Sequence, residues 1–163
     1  MNYFDQTWIS VIEDLADHRN EATTLTEIKR ARRIVFVAKG RVGLAARMFM
    51  QRLSQLGMHV AHSEDLLVPE LSDQDLVVFV TASGETTSSL AYLEIAKRIG
   101  VRTLAITFNA QGNISKGCDV VAEYPRPRTQ GLMKSYYEIG FIYVLERIVS
   151  QLPADQFVHT NFE

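Results

Sequence analysis

The chain has 163 residues, 47% hydrophobic and 22% charged, the profile of an ordinary globular protein rather than a disordered chain, a collagen-like repeat or a membrane-embedded bundle. Seventeen Lys and Arg against nineteen Asp and Glu leave a net charge of -2, which argues against a nucleic-acid partner, since proteins that coat nucleic acid are usually strongly basic. One domain, residues 1–163, is expected, with no membrane partner because no apolar run approaches the roughly 18 residues of a bilayer span. The lone Cys118 cannot form an internal disulfide, so a reducing, cytoplasmic setting fits; His18, His59 and His62 lack metal-ligand spacing, and no metal or other cofactor is expected.

In chain order, Phe4, Trp8, Val11, Ile12 and Leu15 recur at helical spacing and predict an opening helix. Ile34 to Ala38 is a strand-length, β-branched run, followed by Lys39-Gly40-Arg41-Val42-Gly43 and a helical stripe of Ala45, Met48, Phe49, Leu53 and Leu56 closed by Gly57. His59 to His62 reads as a weaker strand, and Leu76 to Val80 as a strong one. A second stripe, Ala91, Tyr92, Ile95, Ala96 and Ile99, ends at Gly100; strands at Leu104 to Phe108 and Val120 to Tyr124 follow. Tyr137, Phe141, Leu145, Ile148 and Leu152 predict a closing helix. The order α, β, α, β, β, α, β, β, α, with apolar runs that are continuous rather than alternating, predicts an α/β fold: a doubly wound, mostly parallel five-stranded sheet flanked by helices. Ligands of such sheets bind beyond the carboxyl ends of the strands.

The most telling stretch lies at such an end. Thr81-Ala82-Ser83-Gly84-Glu85-Thr86-Thr87-Ser88-Ser89 follows a strand, enters a helix, and carries hydroxyls at six of its nine positions. Helix-start N–H groups together with hydroxyl donors suit a phosphate monoester, whereas a Ser/Thr helix cap in a polar turn is the plainer alternative. The Gly40/Gly43 turn lets Arg41 point over the same crevice or stand as a solvated cation; neither a GxGxxG fingerprint nor a GxxxxGK[ST] loop is present. On the closing helix, Lys134 and Glu138 fall inside the apolar stripe, so Glu138 is either a general base facing a cavity or half of a surface i,i+4 pair. Tyr136 and Tyr143 fall on the opposite face, as if for a helix-to-helix contact between subunits.

Thr81 to Thr86 resembles the Ser-Gly-Ser-Gly-Glu-Thr loop of sugar isomerase (SIS) domains, and Lys39 to Gly43 resembles their Gly-Arg-Ser-Gly turn. Within that family the chain resembles the 6-phospho-3-hexuloisomerases over nearly its whole length, including the Leu132 to Glu138 segment and the ending His159-Thr160-Asn161-Phe162-Glu163. The resemblance implies a metal-free homotetramer interconverting D-arabino-3-hexulose 6-phosphate and fructose 6-phosphate. It implies substrate contacts from Gly40, Arg41, Thr81, Ser83, Glu85 and Thr86, a catalytic base at Glu138, and a catalytic His159 reaching a neighbouring subunit's site. Departures from the pattern are Val42 for a serine, Thr81 for a serine, Ala82 for a glycine and Lys134 for a glycine, with Lys39 an unexpected cation. Two other readings remain open: a non-catalytic sugar-phosphate sensor and a flavodoxin-like binding module.

Overall fold

The computed structural model describes residues 3–128 and 134–153, and its centre is a five-stranded sheet whose strands all run parallel. Helices α1 (Tyr3–Asp14) and α2 (Glu21–Arg30) precede strand β1 (Ile34–Val37), helix α3 (Gly40–Gln55) and strand β2 (Val60–His62). Strand β3 (Leu76–Thr81), helix α4 (Thr87–Ile99), strand β4 (Arg102–Thr107), helix α5 (Asn113–Gly117), strand β5 (Val120–Glu123) and helix α6 (Tyr136–Val149) complete the order. The spatial order β2-β1-β3-β4-β5 makes β1 and β3 central neighbours, so the turns after them open at the point where the winding reverses.

Strand residues alternate between the two faces. Ile34, Phe36, Leu76, Val78, Leu104 and Ile106 pack under α1, α2, α3 and α6, while Val37, Val77 and Phe79 meet Leu93, Ala96 and Ile114 of α4 and α5. Both faces are therefore covered, which is why the strand runs are apolar throughout. Phe36 meets Phe49 of α3 edge-on at 5.7 Å, and Phe108 stacks on Phe141 of α6 at 4.2 Å. Each such fully buried ring contributes roughly 1.5–3 kcal/mol by leaving water. Among the described residues no helix is long and apolar enough to cross a membrane.

All five expected strands are present, and two helices appear that the apolar spacing does not announce. α2 buries Glu21, Thr24 and Glu27 along with Leu25 and Ile28, so three of its five buried residues are polar. Those carboxylates are matched from far along the chain: Arg147 of α6 binds Glu21, and Arg102 grips Glu27 through two bonds of 2.6 and 2.8 Å. α5 has only five residues, too few for a stripe. The closing helix begins at Tyr136, which leaves Lys134 in the turn before it rather than on its apolar face. Its opposite face is covered in part within the chain, Tyr143 staying partly exposed. Tyr136 is 8% exposed and meets Trp8 of α1 in a T-shaped contact at 5.7 Å, while Arg147 lies over the Tyr143 ring.

Candidate active site

At the carboxyl end of the sheet a cavity of about 290 Å³ opens between the turns that follow β1 and β3, the segment after β5 and the start of α6. The Thr81 to Thr86 turn forms its base: Thr81, Ser83 and Thr86 all line it, as does Ser89 from the first turn of α4. The turn is tightly built. The Thr81 hydroxyl accepts from the Gly84 N–H at 3.0 Å, and the Ser83 hydroxyl accepts from the Glu85 N–H at 3.2 Å. Gly84 holds a left-handed φ of 76°, and a Cβ there would come within 2.9 Å of the Gly112 Cα, so two glycine backbones touch where side chains do not fit. The Ser83 carbonyl accepts from Asn109 Nδ2 at 2.8 Å and the Gly84 carbonyl from the Ile114 N–H at 2.9 Å, which fastens the turn to the end of β4 and to α5.

Thr86 occupies the N-cap of α4 in extended conformation, and its side chain makes no capping bond. Thr86 lines the cavity instead, while the first-turn amides of an α-helix have no acceptor within the helix. Of the two readings of this hydroxyl run, the simple cap therefore does not describe Thr86. Glu85 lies elsewhere: its carboxylate accepts from the Asn113 N–H at 2.9 Å and from Asn113 Nδ2 at 2.7 Å, which anchors the start of α5.

Gly40 starts α3 with a left-handed φ of 57°, and a Cβ on Gly43 would lie 3.0 Å from the Ala38 carbonyl, so both glycines serve the sharp exit from β1. That exit sends Arg41 towards α6, where its Nε lies 3.2 Å from Oε1 of Glu138. The Glu138 side chain is only 16% exposed. Val42 and Tyr137, the sequence neighbours of Arg41 and Glu138, line the cavity, whereas Gly40, Arg41 and Glu138 themselves are not among its lining residues. His159 lies outside the described residues.

Three further cavity residues carry weight. Arg126, in the segment leaving β5, places its guanidinium 5.9 Å from the centre of the Tyr137 ring. Lys39, at the end of β1, donates to Glu64 at 2.8 Å. Lys134 has a φ of 59°, the one left-handed non-glycine residue among those described, a conformation that costs an L-residue roughly 1–2 kcal/mol. Arg126 and Tyr137 were not expected as cavity residues, Tyr137 being read only as part of the closing helix stripe. Arg126 follows an expected strand at its carboxyl end, a position that itself would have marked it.

A second cavity, of about 350 Å³, lies at the amino end of the strands and includes Glu27, Arg32, Asp75 and Arg102 in its lining. Its acids and bases answer one another. Asp75 accepts from Arg32, from Arg33 at 2.8 Å and from the Ser72 N–H at 2.8 Å; burial opposes its ionisation, but these bonds prevail and bring its pKa down to about 2. Burial pushes the Cys118 thiol pKa up to about 12, which disfavours the thiolate.

The model of the SIS domain matches residues 27–145, from α2 through most of α6. The chain belongs to the SIS domain family. A 3-hexulose-6-phosphate isomerase from Bacillus subtilis is 28% identical over 134 residues, 80% of this chain and 68% of that protein. An uncharacterized protein from Archaeoglobus fulgidus is 35% identical over 113 residues, 68% of this chain, and the chain spans only 62% of its length. Among solved structures, a hypothetical protein from Methanococcus jannaschii, described as inferring a function of 3-hexulose-6-phosphate isomerase, superposes with a TM-score of 0.78 at 19% identity, over 98% of this chain and 96% of that one. The NanR protein of Vibrio vulnificus, solved with ManNAc-6P, gives a TM-score of 0.76 at 17% identity over 91% of this chain and 61% of its own. At these identities the structural likeness establishes the fold, the five-stranded parallel sheet flanked by helices.

Proposed function

We infer that this SIS domain is a sugar-phosphate isomerase that works by proton transfer through an enediolate, with the interconversion of D-arabino-3-hexulose 6-phosphate and fructose 6-phosphate as its reaction. The observation that carries the reading is the Arg41–Glu138 pair, one residue along the chain from Val42 and Tyr137, which line the same cavity as Thr81, Ser83 and Thr86. In this reading the hydroxyls and the first turn of α4 bind the phosphate. Glu138 takes the proton from C2 of the hexulose phosphate as the C3 carbonyl oxygen becomes the enediolate oxygen, the O2 hydroxyl proton passes to O3, and the same carboxyl returns its proton to C3 as the carbonyl forms at C2. Arg41 compensates the negative charge that develops on the oxygens, and no external oxidant or reductant enters the balance. A positioned base of this kind contributes about 10²- to 10⁴-fold to the rate.

The resemblance of the chain's ending to the family tail implies that His159 works at a neighbouring subunit's cavity in a homotetramer. Light scattering that finds a monomer at assay concentration would remove that role. The function itself is tested by coupling: ribulose 5-phosphate, formaldehyde and a hexulose phosphate synthase supply substrate, and fructose 6-phosphate is followed through glucose 6-phosphate. Turnover that depends on this chain supports the isomerase. Binding of fructose 6-phosphate without any turnover would make the domain a sensor.

A further inference from the structure

Among the described residues that line the carboxyl-end cavity three are cationic, Lys39, Arg126 and Lys134, and none is acidic, the nearby Glu138 being paired with Arg41. They come from three separate places in the fold: the end of β1, the segment after β5 and the turn before α6. A sugar monophosphate brings one anionic group, and the hydroxyl turn already provides for it. Lys39 is matched by Glu64, which leaves Arg126 and Lys134 to meet a second group on the ligand.

Two of the cations are held by structure. Lys39 is bound by Glu64, whose own N–H donates to Nδ1 of the fully buried His62 at 3.1 Å. Burial first, and then the nearby Arg47, lower the His62 pKa, so the ring stays neutral and able to accept that bond. Lys134 sits in a left-handed conformation that glycine would adopt without strain. A long cationic side chain kept at a strained position on a cavity wall points to a ligand that uses the charge.

We propose that this cavity binds sugar phosphates bearing a second anionic group, either a bisphosphate or a phosphorylated sugar acid, more tightly than it binds a sugar monophosphate. The proposal rests on reading the Thr81 to Thr86 turn as the phosphate cradle. Compounds of this class then compete with the isomerised monophosphate for one site, and Arg126 and Lys134 set the preference.

Calorimetric titration of the full chain with fructose 6-phosphate, fructose 1,6-bisphosphate and 6-phosphogluconate tests this. At least one doubly anionic compound should bind about tenfold or more tighter than fructose 6-phosphate, with the margin shrinking as salt is raised towards 1 M and screening shortens to roughly 3 Å. The bisphosphate and the sugar acid are separate arms, so the winner identifies the second group. In Lys134→Gly, where the substitution relieves strain and leaves folding intact, and in Arg126→Gln, the ratio should fall below about threefold. Fructose 6-phosphate binding as tight as both doubly anionic compounds would overturn the proposal alone. Failure of all three compounds to bind would overturn the phosphate cradle, and the proposal with it.

Discussion

The two ends of the sheet each hold a polar cavity of similar size, about 350 Å³ at the amino end and about 290 Å³ at the carboxyl end, and they treat charge in opposite ways. At the amino end Asp75 is wrapped by Arg32, Arg33 and the Ser72 amide, and Glu27 takes both prongs of Arg102. Each of these buried carboxylates is matched by a guanidinium, and the arrangement ties β1, β3, β4 and α2 together. At the carboxyl end the described lining residues carry hydroxyls and three cations, of which Glu64 engages only Lys39, and Lys134 is held in a strained conformation at its edge. Size does not separate the two cavities. Charge does: matched charges hold a fold together, whereas an unbalanced set on a cavity wall is complementary to something that arrives from solution.

The contrast can be broken from either side. Glu138→Gln should have the largest effect, lowering turnover at least about a hundredfold while the melting temperature stays close to that of the parent. Near-normal turnover in that variant would take Glu138 out of the mechanism. At the other end, Asp75→Asn should lower unfolding free energy by about 2 kcal/mol in denaturant titrations, because it strands two guanidinium groups, the more exposed of which regains water. Its affinity for fructose 6-phosphate should not change. A loss of sugar-phosphate binding in Asp75→Asn would erase the division between a structural end and a ligand end.

A third variant probes how the hydroxyl turn is supported. A Cβ on Gly112 would lie 2.6 Å from the Ser83 carbonyl and 2.7 Å from the Gly84 Cα, so Gly112→Ala must push the turn off its seat. Destabilisation of about 1–2 kcal/mol, together with a several-fold loss of phosphate affinity, is expected from overpacking of this kind. Unchanged affinity would separate the position of the turn from binding. The smallest effect is visible only in acid. The folded pKa of Asp75, about 2, lies below its ordinary 3.8, so its stabilisation is complete above pH 3.8 and fades as pH falls towards 2. Acid titrations should therefore show a loss of stability across that window that is absent in Asp75→Asn.

The legibility of the sequence follows the same division. Strands buried on both faces must be continuously apolar, so Ile34 to Val37, Leu76 to Val80 and Leu104 to Ile106 announce themselves. α2 does not, because three of its five buried residues are Glu21, Thr24 and Glu27, and burial of those carboxylates depends on Arg147 and Arg102, more than seventy positions away. Only its charged ends, with Glu21 in the first turn and Lys29 and Arg30 in the last, carry a local signal. The hydroxyl turn was readable because nine consecutive residues compose it. Arg126 carried only the signal of its place just past a strand's carboxyl end, and Tyr137 read as an apolar position of the closing helix rather than as a cavity residue. Lys134 was visible as an unexpected cation, but its place before α6 and its left-handed backbone emerge only once the helix start is known.

The central claim is that Glu138 moves a proton on a phosphosugar held by the hydroxyl turn. Its most direct test is nuclear magnetic resonance of fructose 6-phosphate incubated in deuterated water with the parent chain and with Glu138→Gln. The account predicts deuterium at C3 with the parent and none above background with the variant. Fructose 6-phosphate that binds the parent yet acquires no deuterium, or equal exchange in both proteins, would contradict it.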